Sequence, residues 1–486
     1  MKIFYTSDVH GYFLPTDYMD QQPKAMGLLS ASKNFQVNED NLIIDCGDMI
    51  QGSVYDYYLM TKSQPEKISA IMNKISYSHI GLGNHDFNYG YDYLKDYVNN
   101  LQAKVLCANL VDLKGEIKNL AAYDIVEIQG KKVGLIGACT DFVNIWEQKE
   151  NLKYFQVKDT LQSLIEAYDH IKDCDFKICI YHGGVDFNIE DYTIEETKGE
   201  NIASKIASSL DLDLLLTGHQ HRQIEDLSYQ GTRIIQPGSN GGLYGEITVD
   251  LDTKAMDLKL RPVDGDFDRE KFQEEIEENA LINDFIDQKI CQLDKDYLPA
   301  DRLTMALQGS ALADLVNKVQ REVSGAQIST TSFANQVLGF SKDLTIRQII
   351  NTLRFPNTLL VCQIDGKSLR QYLNKNYQFI VKDGEDFKIN PKYLQPKLSL
   401  YNFDFLYGLD FQIDYDQDFE NRIGKIFYQG REVQDTDSLS LVMNNYRKTG
   451  VSGFDMLVDL KVLKEINFDL AQIFIDFFSE KKFYSL

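Results

Sequence analysis

Through roughly the first 260 residues, short apolar runs alternate with stretches whose apolar positions recur at helical spacing, the signature of an α/β domain. The runs that predict strands are Lys2 to Thr6, Asn41 to Cys46, Tyr77 to Leu82, Lys104 to Ala108, Lys132 to Ala138, Phe176 to Tyr181 and Asp213 to Thr217. Ile234 to Ser239 and Tyr244 to Asp250 look like further strands that complete a second sheet or an edge. From Asp268 to Asp296 the chain turns polar and acidic while Phe272, Ile276, Leu281, Phe285 and Ile290 keep near-helical spacing, which predicts a connecting helix. Beyond Pro299 a second unit begins, with helical patterns at Ala311 to Val323 and Ile346 to Leu353. Its strand patterns are Thr358 to Ile364, Phe411 to Tyr415, Lys425 to Tyr428 and Ser438 to Met443. The expected organisation is a domain over residues 1–265, a linker helix over 266–299 and a second domain over 300–486, without internal repeats.

Composition narrows the class. At 486 residues the chain is too long for one ordinary domain, and 43% hydrophobic with 25% charged residues is the balance of a soluble globular protein. A formal net charge of -23 argues against nucleic-acid polymers and anionic membrane surfaces as partners. A phosphate substrate would therefore need local positive charge, which bound metal would supply. The seven cysteines, at 46, 107, 139, 174, 179, 291 and 362, have no CxxC spacing and an odd count, so they are read as reduced core thiols of a cytoplasmic protein. Met1-Lys2-Ile3-Phe4-Tyr5 runs directly into Asp8, which leaves no room for a signal peptide ahead of a functional strand. No apolar stretch approaches the roughly 20 residues that span a bilayer.

The chemistry sits where the strands end. Five of the seven histidines fall in four short motifs, each after an apolar run: Asp8-Val9-His10, Gly83-Asn84-His85-Asp86, Tyr181-His182-Gly183-Gly184 and Gly218-His219-Gln220-His221. Gly47-Asp48 completes the set. In an α/β sheet the carboxyl ends of the strands form the ligand crevice, so residues far apart in sequence converge there. Histidine, aspartate and asparagine offer nitrogen and oxygen donors that suit Mn, Zn, Fe or Mg, and one carboxylate can bridge two ions. Asp48 is the natural bridge, Asn84 a neutral oxygen donor, and His219 and His221 can reach different ions of a pair. His79 and His170 belong to no motif and are read as structural.

This ordered set resembles the calcineurin-like metallophosphoesterases, whose motifs run D-x-H, G-D, G-N-H-[DE], H and G-H-x-[HQ]. The resemblance implies a four-layer α/β/β/α catalytic domain, with one metal held by Asp8, His10, Asp48 and His221 and a second by Asp48, Asn84, His182 and His219. Two such ions, about 3.5 to 4 Å apart, lower the pKa of a bridging water to the hydroxide that attacks phosphorus in line. His85, beside a ligand, is assigned to the transferring phosphoryl group or the leaving oxygen. The second unit is similar to the C-terminal α/β substrate-binding domain of the bacterial 5'-nucleotidase and 2',3'-cyclic-nucleotide phosphodiesterase family. There the family stacks a base between aromatic rings at the positions of Phe355 and Tyr446, and Asn357 matches a residue that hydrogen-bonds the base.

Departures from the family pattern point to one branch. In 5'-nucleotidases an aspartate orients the catalytic histidine, whereas Asn88 stands here, an amide that can fix the His85 ring but carries no charge of its own. Gln327 to Phe333 lacks the glycines and arginine that 5'-nucleotidases carry, and Ser452 replaces an aspartate near the ribose. Tyr401-Asn402-Phe403-Asp404 resembles a tetrapeptide of the cyclic phosphodiesterase branch, and Arg447-Lys448 reads equally well as a solvated pair or as phosphate contacts. The expected activity is opening of 2',3'-cyclic nucleotides and removal of the 3'-phosphate. The rivals are a 5'-nucleotidase or nucleotide-sugar hydrolase of the same family and, in another class, a non-catalytic nucleotide-binding protein. Metal identity, base preference and oligomeric state stay open.

Overall fold

A computed structural model describes residues 1–19, 22–147, 149–194, 199–355, 357–395, 398–466, 468–481 and 483–484. The chain divides into two compact units, Met1–Asn283 and Asp284–Leu486.

The first unit is built on two sheets. One runs Met256–Pro262, Leu243–Val249, Lys2–Thr6, Asn41–Asp45, His79–Gly81, Lys104–Leu106 and Leu120–Ala121 from edge to edge. The other runs Gln223–Tyr229, Thr232–Pro237, Leu214–Thr217, Phe176–His182, Lys131–Cys139 and Tyr123–Ile128. Side chains alternate across each strand, and both faces of the central strands are buried, which explains their near-continuous apolar runs. Ile3, Ile44, Ile178, Ile180 and Leu216 fill the core between the sheets. From the opposite face, Cys179, Tyr181 and Leu215 pack on helices Thr160–Ile171 and Ala203–Ser209 through Leu164, Ala167 and Ile206. Each buried aliphatic side chain contributes roughly 1.5–3 kcal/mol. The central strands are parallel, with Thr6 beside Asp45 and Tyr181 beside Thr217, so their carboxyl ends align.

Helix Gln273–Asp287 follows, shorter than the polar pattern to Asp296 implied. Its acidic residues have partners on helix Pro65–Ile75: Glu274 and Glu275 meet Lys74 at 2.7 and 2.8 Å, and Glu278 pairs with Lys67. Lys289–Leu293, expected to be helical, is a strand paired with Asp343–Thr345 and Phe483–Tyr484. The pairing overrides helical spacing because Cys291 and Leu293 alternate into the core, 1% and 0% exposed.

The second unit centres on a five-stranded sheet, ordered Phe405–Tyr407, Ile328–Thr331, Ser438–Asn444, Leu359–Asp365 and Lys461–Ile466. Helix Gly366–Asn376 packs Leu369, Tyr372 and Leu373 against the sheet residues Cys362, Ile364 and Leu441. Helix Ala311–Ser324 is capped by Ser310, whose hydroxyl accepts from the Ala313 amide, and ends at Gly325 with φ 78°. Among the described residues no helix is long and apolar enough to cross a membrane.

Candidate metal centre and aromatic reader

The seven proposed donors lie within contact of one another at the aligned strand ends of the first unit. Asp8 and His10 follow Lys2–Thr6, Asp48 follows Asn41–Asp45, and Asn84 follows His79–Gly81. His182 closes Phe176–His182, and His219 and His221 follow Leu214–Thr217. Asp8, His10, Asp48, His219 and His221 all have φ between 51° and 72°, the left-handed region that costs a non-glycine residue of order 1–3 kcal/mol. Main-chain bonds between neighbouring loops hold them there. The Asp8 amide donates to the Gly47 carbonyl at 3.0 Å, and the His10 amide to the Asp48 carbonyl at 2.9 Å. Asp86 carries much of this lacing, since its carboxylate accepts from the amides of Asp48, Met49, Ile50 and Gly83 at 2.8–3.2 Å. Burial and the neighbouring Asp48 nevertheless push its carboxyl up to about 6. Gly83 has to be glycine, because a Cβ there would lie 2.1 Å from Asp48 Oδ1.

The tautomers of the histidines test whether the site fits a cation. His10 Nδ1 donates to the Gln51 carbonyl at 2.8 Å and His182 Nδ1 to the Cys46 carbonyl at 3.0 Å, so each ring turns its Nε2 into the site. His10 Nε2 lies 3.0 Å from His221 Nε2 and 3.8 Å from Asp48 Oδ2. His182 Nε2 lies 3.1 Å from Asp48 Oδ2 and 3.2 Å from Asn84 Oδ1. His219 gives its Nε2 proton to Glu200 at 2.9 Å, which turns its Nδ1 lone pair toward Asn84 Oδ1 at 2.8 Å. His219 Nδ1 and Asn84 Oδ1 thus meet lone pair to lone pair, and the Nε2 atoms of His10 and His182 converge on Asp48, an arrangement that bound cations satisfy. Two groups of donors, Asp8 with His10 and His221, and Asp8 with Asp48 and His182, each close to within 4.8 Å.

The local field has the matching sign. Burial alone would lower His182, but Asp48 and Asp8 outweigh it and raise the imidazole well above its ordinary value. Burial alone would likewise raise Asp48, yet His182, His85 and His10 hold it well below the usual carboxylate range. His10 is lowered to about 4, first by burial and then by the imidazoles of His221 and His85, so it is neutral and able to donate its lone pair at pH 7. Asp48 Oδ2 faces both His10 and His182, while Oδ1 accepts from the His85 amide at 2.7 Å.

His85 stands at the rim, its ring 5.3 Å from that of His10. Its Nδ1 lies 2.8 Å from Asn88 Oδ1, and Asn88 Nδ2 in turn donates to Glu147. Motif reading missed Glu147, Glu200 and the lacing role of Asp86, because none of these contacts has a sequence spacing that marks it. The two histidines outside the motifs have packing roles: His79 meets Asp124 at 3.1 Å, and His170 stacks on Tyr123 with centroids 4.4 Å apart.

The second unit carries the aromatic residues. Phe355 and Tyr446 are 38% and 39% exposed, and the Phe355 ring lies edge-on to Tyr401 at 6.1 Å. The Asn357 carbonyl accepts from the Leu470 amide at 2.9 Å, which anchors the loop; Pro356 lies outside the described residues. Arg447 corrects the reading of a solvated pair. It is 2% exposed, donates through Nη2 to Asp404 Oδ1 at 2.6 Å and to the Tyr401 carbonyl at 3.2 Å, and lies over Phe454 at 4.2 Å. Asp404 Oδ2 also accepts from Tyr372 at 2.6 Å. Ser452 donates to Asn402 at 2.9 Å. The Tyr401 to Asp404 tetrapeptide, half-buried at Tyr401 and buried from Asn402 to Asp404, is therefore a brace beneath the exposed rings.

Comparison with known proteins agrees with this architecture. The calcineurin-like phosphoesterase family matches residues 1–223, and the 5'-nucleotidase C-terminal domain matches residues 289–459. Residues 1–223 are thus a domain of the calcineurin-like phosphoesterases, hydrolases that use divalent metal ions, and residues 289–459 a C-terminal domain of the 5'-nucleotidase type. Among its relatives, the 2',3'-cyclic-nucleotide 2'-phosphodiesterase/3'-nucleotidase of Haemophilus influenzae is 24% identical over 93% of this chain and 80% of that protein. The trifunctional nucleotide phosphoesterase of Bacillus subtilis is 23% identical over 99% of this chain, which spans 38% of that longer protein. A candidate 5'-nucleotidase from Staphylococcus aureus, solved with alpha-ketoglutarate, superposes with a TM-score of 0.73 at 28% identity, covering 100% of this chain and 99% of that one. The NAD nucleotidase of Haemophilus influenzae shares the fold, with a TM-score of 0.65 at 16% identity over 100% of this chain and 97% of that one.

Proposed function

We propose that this chain hydrolyses nucleotide phosphoesters, opening 2',3'-cyclic nucleotides and then releasing the 3'-phosphate. The observation that carries the choice of branch is the pairing of His85 with an amide, Asn88, at 2.8 Å, where the 5'-nucleotidase pattern has a carboxylate. Relatives with the cyclic phosphodiesterase/3'-nucleotidase name in three bacteria support it.

Asp8, His10, Asp48 and His221 would hold one divalent ion, and Asp48, Asn84, His182 and His219 the other. When bound, such ions neutralise phosphoryl charge and activate water for attack. The protein's own groups do the rest. The His10 and His182 rings, fixed through Nδ1 by the Gln51 and Cys46 carbonyls, keep Nε2 aimed into the site. His85, its Nδ1 proton committed to Asn88, meets the phosphoryl group in its protonated form, gives its Nε2 proton to the departing oxygen and is left as the neutral Nδ1–H tautomer. Phe355 and Tyr446 stack the base, and Asn357 hydrogen-bonds its edge. Stacking on two rings tolerates different bases.

The test is a panel of 2',3'-cyclic, 3'- and 5'-nucleotides at fixed Mn concentration, with products separated chromatographically. Conversion of 2',3'-cyclic AMP to adenosine and phosphate is expected. Ready hydrolysis of AMP with intact 2',3'-cyclic AMP would overturn the reading in favour of a 5'-nucleotidase. No turnover even of bis-p-nitrophenyl phosphate would make the chain a nucleotide-binding protein.

A further inference from the structure

Glu147 lies 59 residues beyond Asn88, just after helix Val143–Trp146, and is 9% exposed. Its Oε2 accepts from Asn88 Nδ2, and its Oε1 accepts from Asn151 Nδ2 at 2.9 Å. The Asn151 amide also reaches the Asn88 main-chain carbonyl at 2.9 Å, so Asn88 is held from both ends.

These contacts have a direction. An ionised carboxylate only accepts hydrogen bonds, so the face of Asn88 turned to Glu147 has to be the NH2. The oxygen of Asn88 is thereby turned to His85, and an oxygen there requires that His85 Nδ1 carry the proton. One buried charge thus dictates an amide orientation, and the amide dictates a tautomer. Without it the amide could turn over and present its NH2 to Nδ1, which disfavours the Nδ1–H tautomer that His85 is left in once its Nε2 proton has gone to the departing oxygen.

We propose that Glu147 is a positioning residue for His85, acting through Asn88, and that it supplies at one remove the negative charge that an aspartate at position 88 would supply directly. The inference rests on the role given to His85 in the proposed function. Glu147 polarises the amide so that Asn88 Oδ1 is a stronger acceptor for the imidazole proton. The three residues form a relay of imidazole, amide and carboxylate in place of a simple imidazole–carboxylate pair.

The experiment exchanges the two groups. In Glu147→Gln, kcat for 2',3'-cyclic AMP should fall by about 10- to 100-fold, the usual effect of removing an outer-shell partner. The Michaelis constant should stay within about twofold and metal content should match that of the parent. The double variant Asn88→Asp with Glu147→Gln keeps the same shapes and the same single negative charge with amide and carboxylate interchanged, and kcat should recover to within about threefold of the parent. In a His85→Ala background, Glu147→Gln should add less than about a twofold further loss. Loss of metal in Glu147→Gln, failure of the exchanged pair to recover, or a full additional loss in the His85→Ala background would each overturn the inference and make Glu147 a structural residue. If His85→Ala itself leaves kcat unchanged, the proposed role of His85 fails instead, and the two failures are told apart.

Discussion

The metal centre and the aromatic reader solve opposite problems. At the metal centre the central donors are buried and strained: Asp8, Asp48 and His182 are at most 1% exposed, and Asp8 and Asp48 have left-handed backbones laced by amide bonds, while Asn84 and His219 are half-buried and His221 is exposed. In the reader the recognising rings, Phe355 and Tyr446, are more than a third exposed, and the strong interactions lie underneath, between Arg447, Asp404 and Tyr372. Chemistry at phosphorus needs charges pre-set in place, because each ångström of misplacement weakens electrostatic stabilisation. A stacking platform needs only its support fixed, since a ring face tolerates sliding of the base.

Five variants break or sharpen that contrast. The largest effect is expected from Asp48→Ala, which removes the carboxylate facing both His10 and His182; activity with Mn should fall to the uncatalysed background and bound metal, measured by elemental analysis, should drop. Retained turnover would mean that Asp8 bridges. Next, His85→Ala should cut kcat by about 10²- to 10⁴-fold while metal content stays at the parent's value, so metal loss would reassign His85 as a ligand. On the reader side, Asp404→Ala leaves the Arg447 guanidinium buried without its carboxylate, and denaturant unfolding of the second unit should register a destabilisation of about 3–5 kcal/mol. A change below about 1 kcal/mol would show that the brace is wetter than its burial implies. The smallest effect belongs to Phe355→Ala and Tyr446→Ala, each expected to weaken nucleotide binding by about 1–3 kcal/mol, read as a raised Michaelis constant, while aryl phosphates are spared. Equal losses on both substrates would place the rings in the structural class with Arg447.

Much of the first unit was legible because its signals are local. The strand at Lys2–Thr6 lies at the residues its apolar run predicts, and the donors stand out because a histidine or aspartate at the end of such a run has few packing reasons to be there. The strand at Lys289–Leu293 was not legible, since its alternating burial depends on partners at Asp343–Thr345 and Phe483–Tyr484 rather than on its own spacing. The burial of Arg447 is not legible either, for a related reason. Beside Lys448 it reads equally well as solvated or as a phosphate contact, but Asp404, 43 residues away, draws it inside.

What the chain determined by itself was the chemistry: which nitrogen and oxygen donors exist and at which strand ends they stand, because residue type and strand period are properties of short segments. What only the tertiary structure decided was the state of those groups. The His10 and His182 tautomers depend on carbonyls of Gln51 and Cys46, and the proton on His85 depends on a carboxylate at Glu147. Hydrogen-bond direction is set by whichever group the fold brings to the other end of the bond, and in each of these cases that partner comes from a distant strand end or loop.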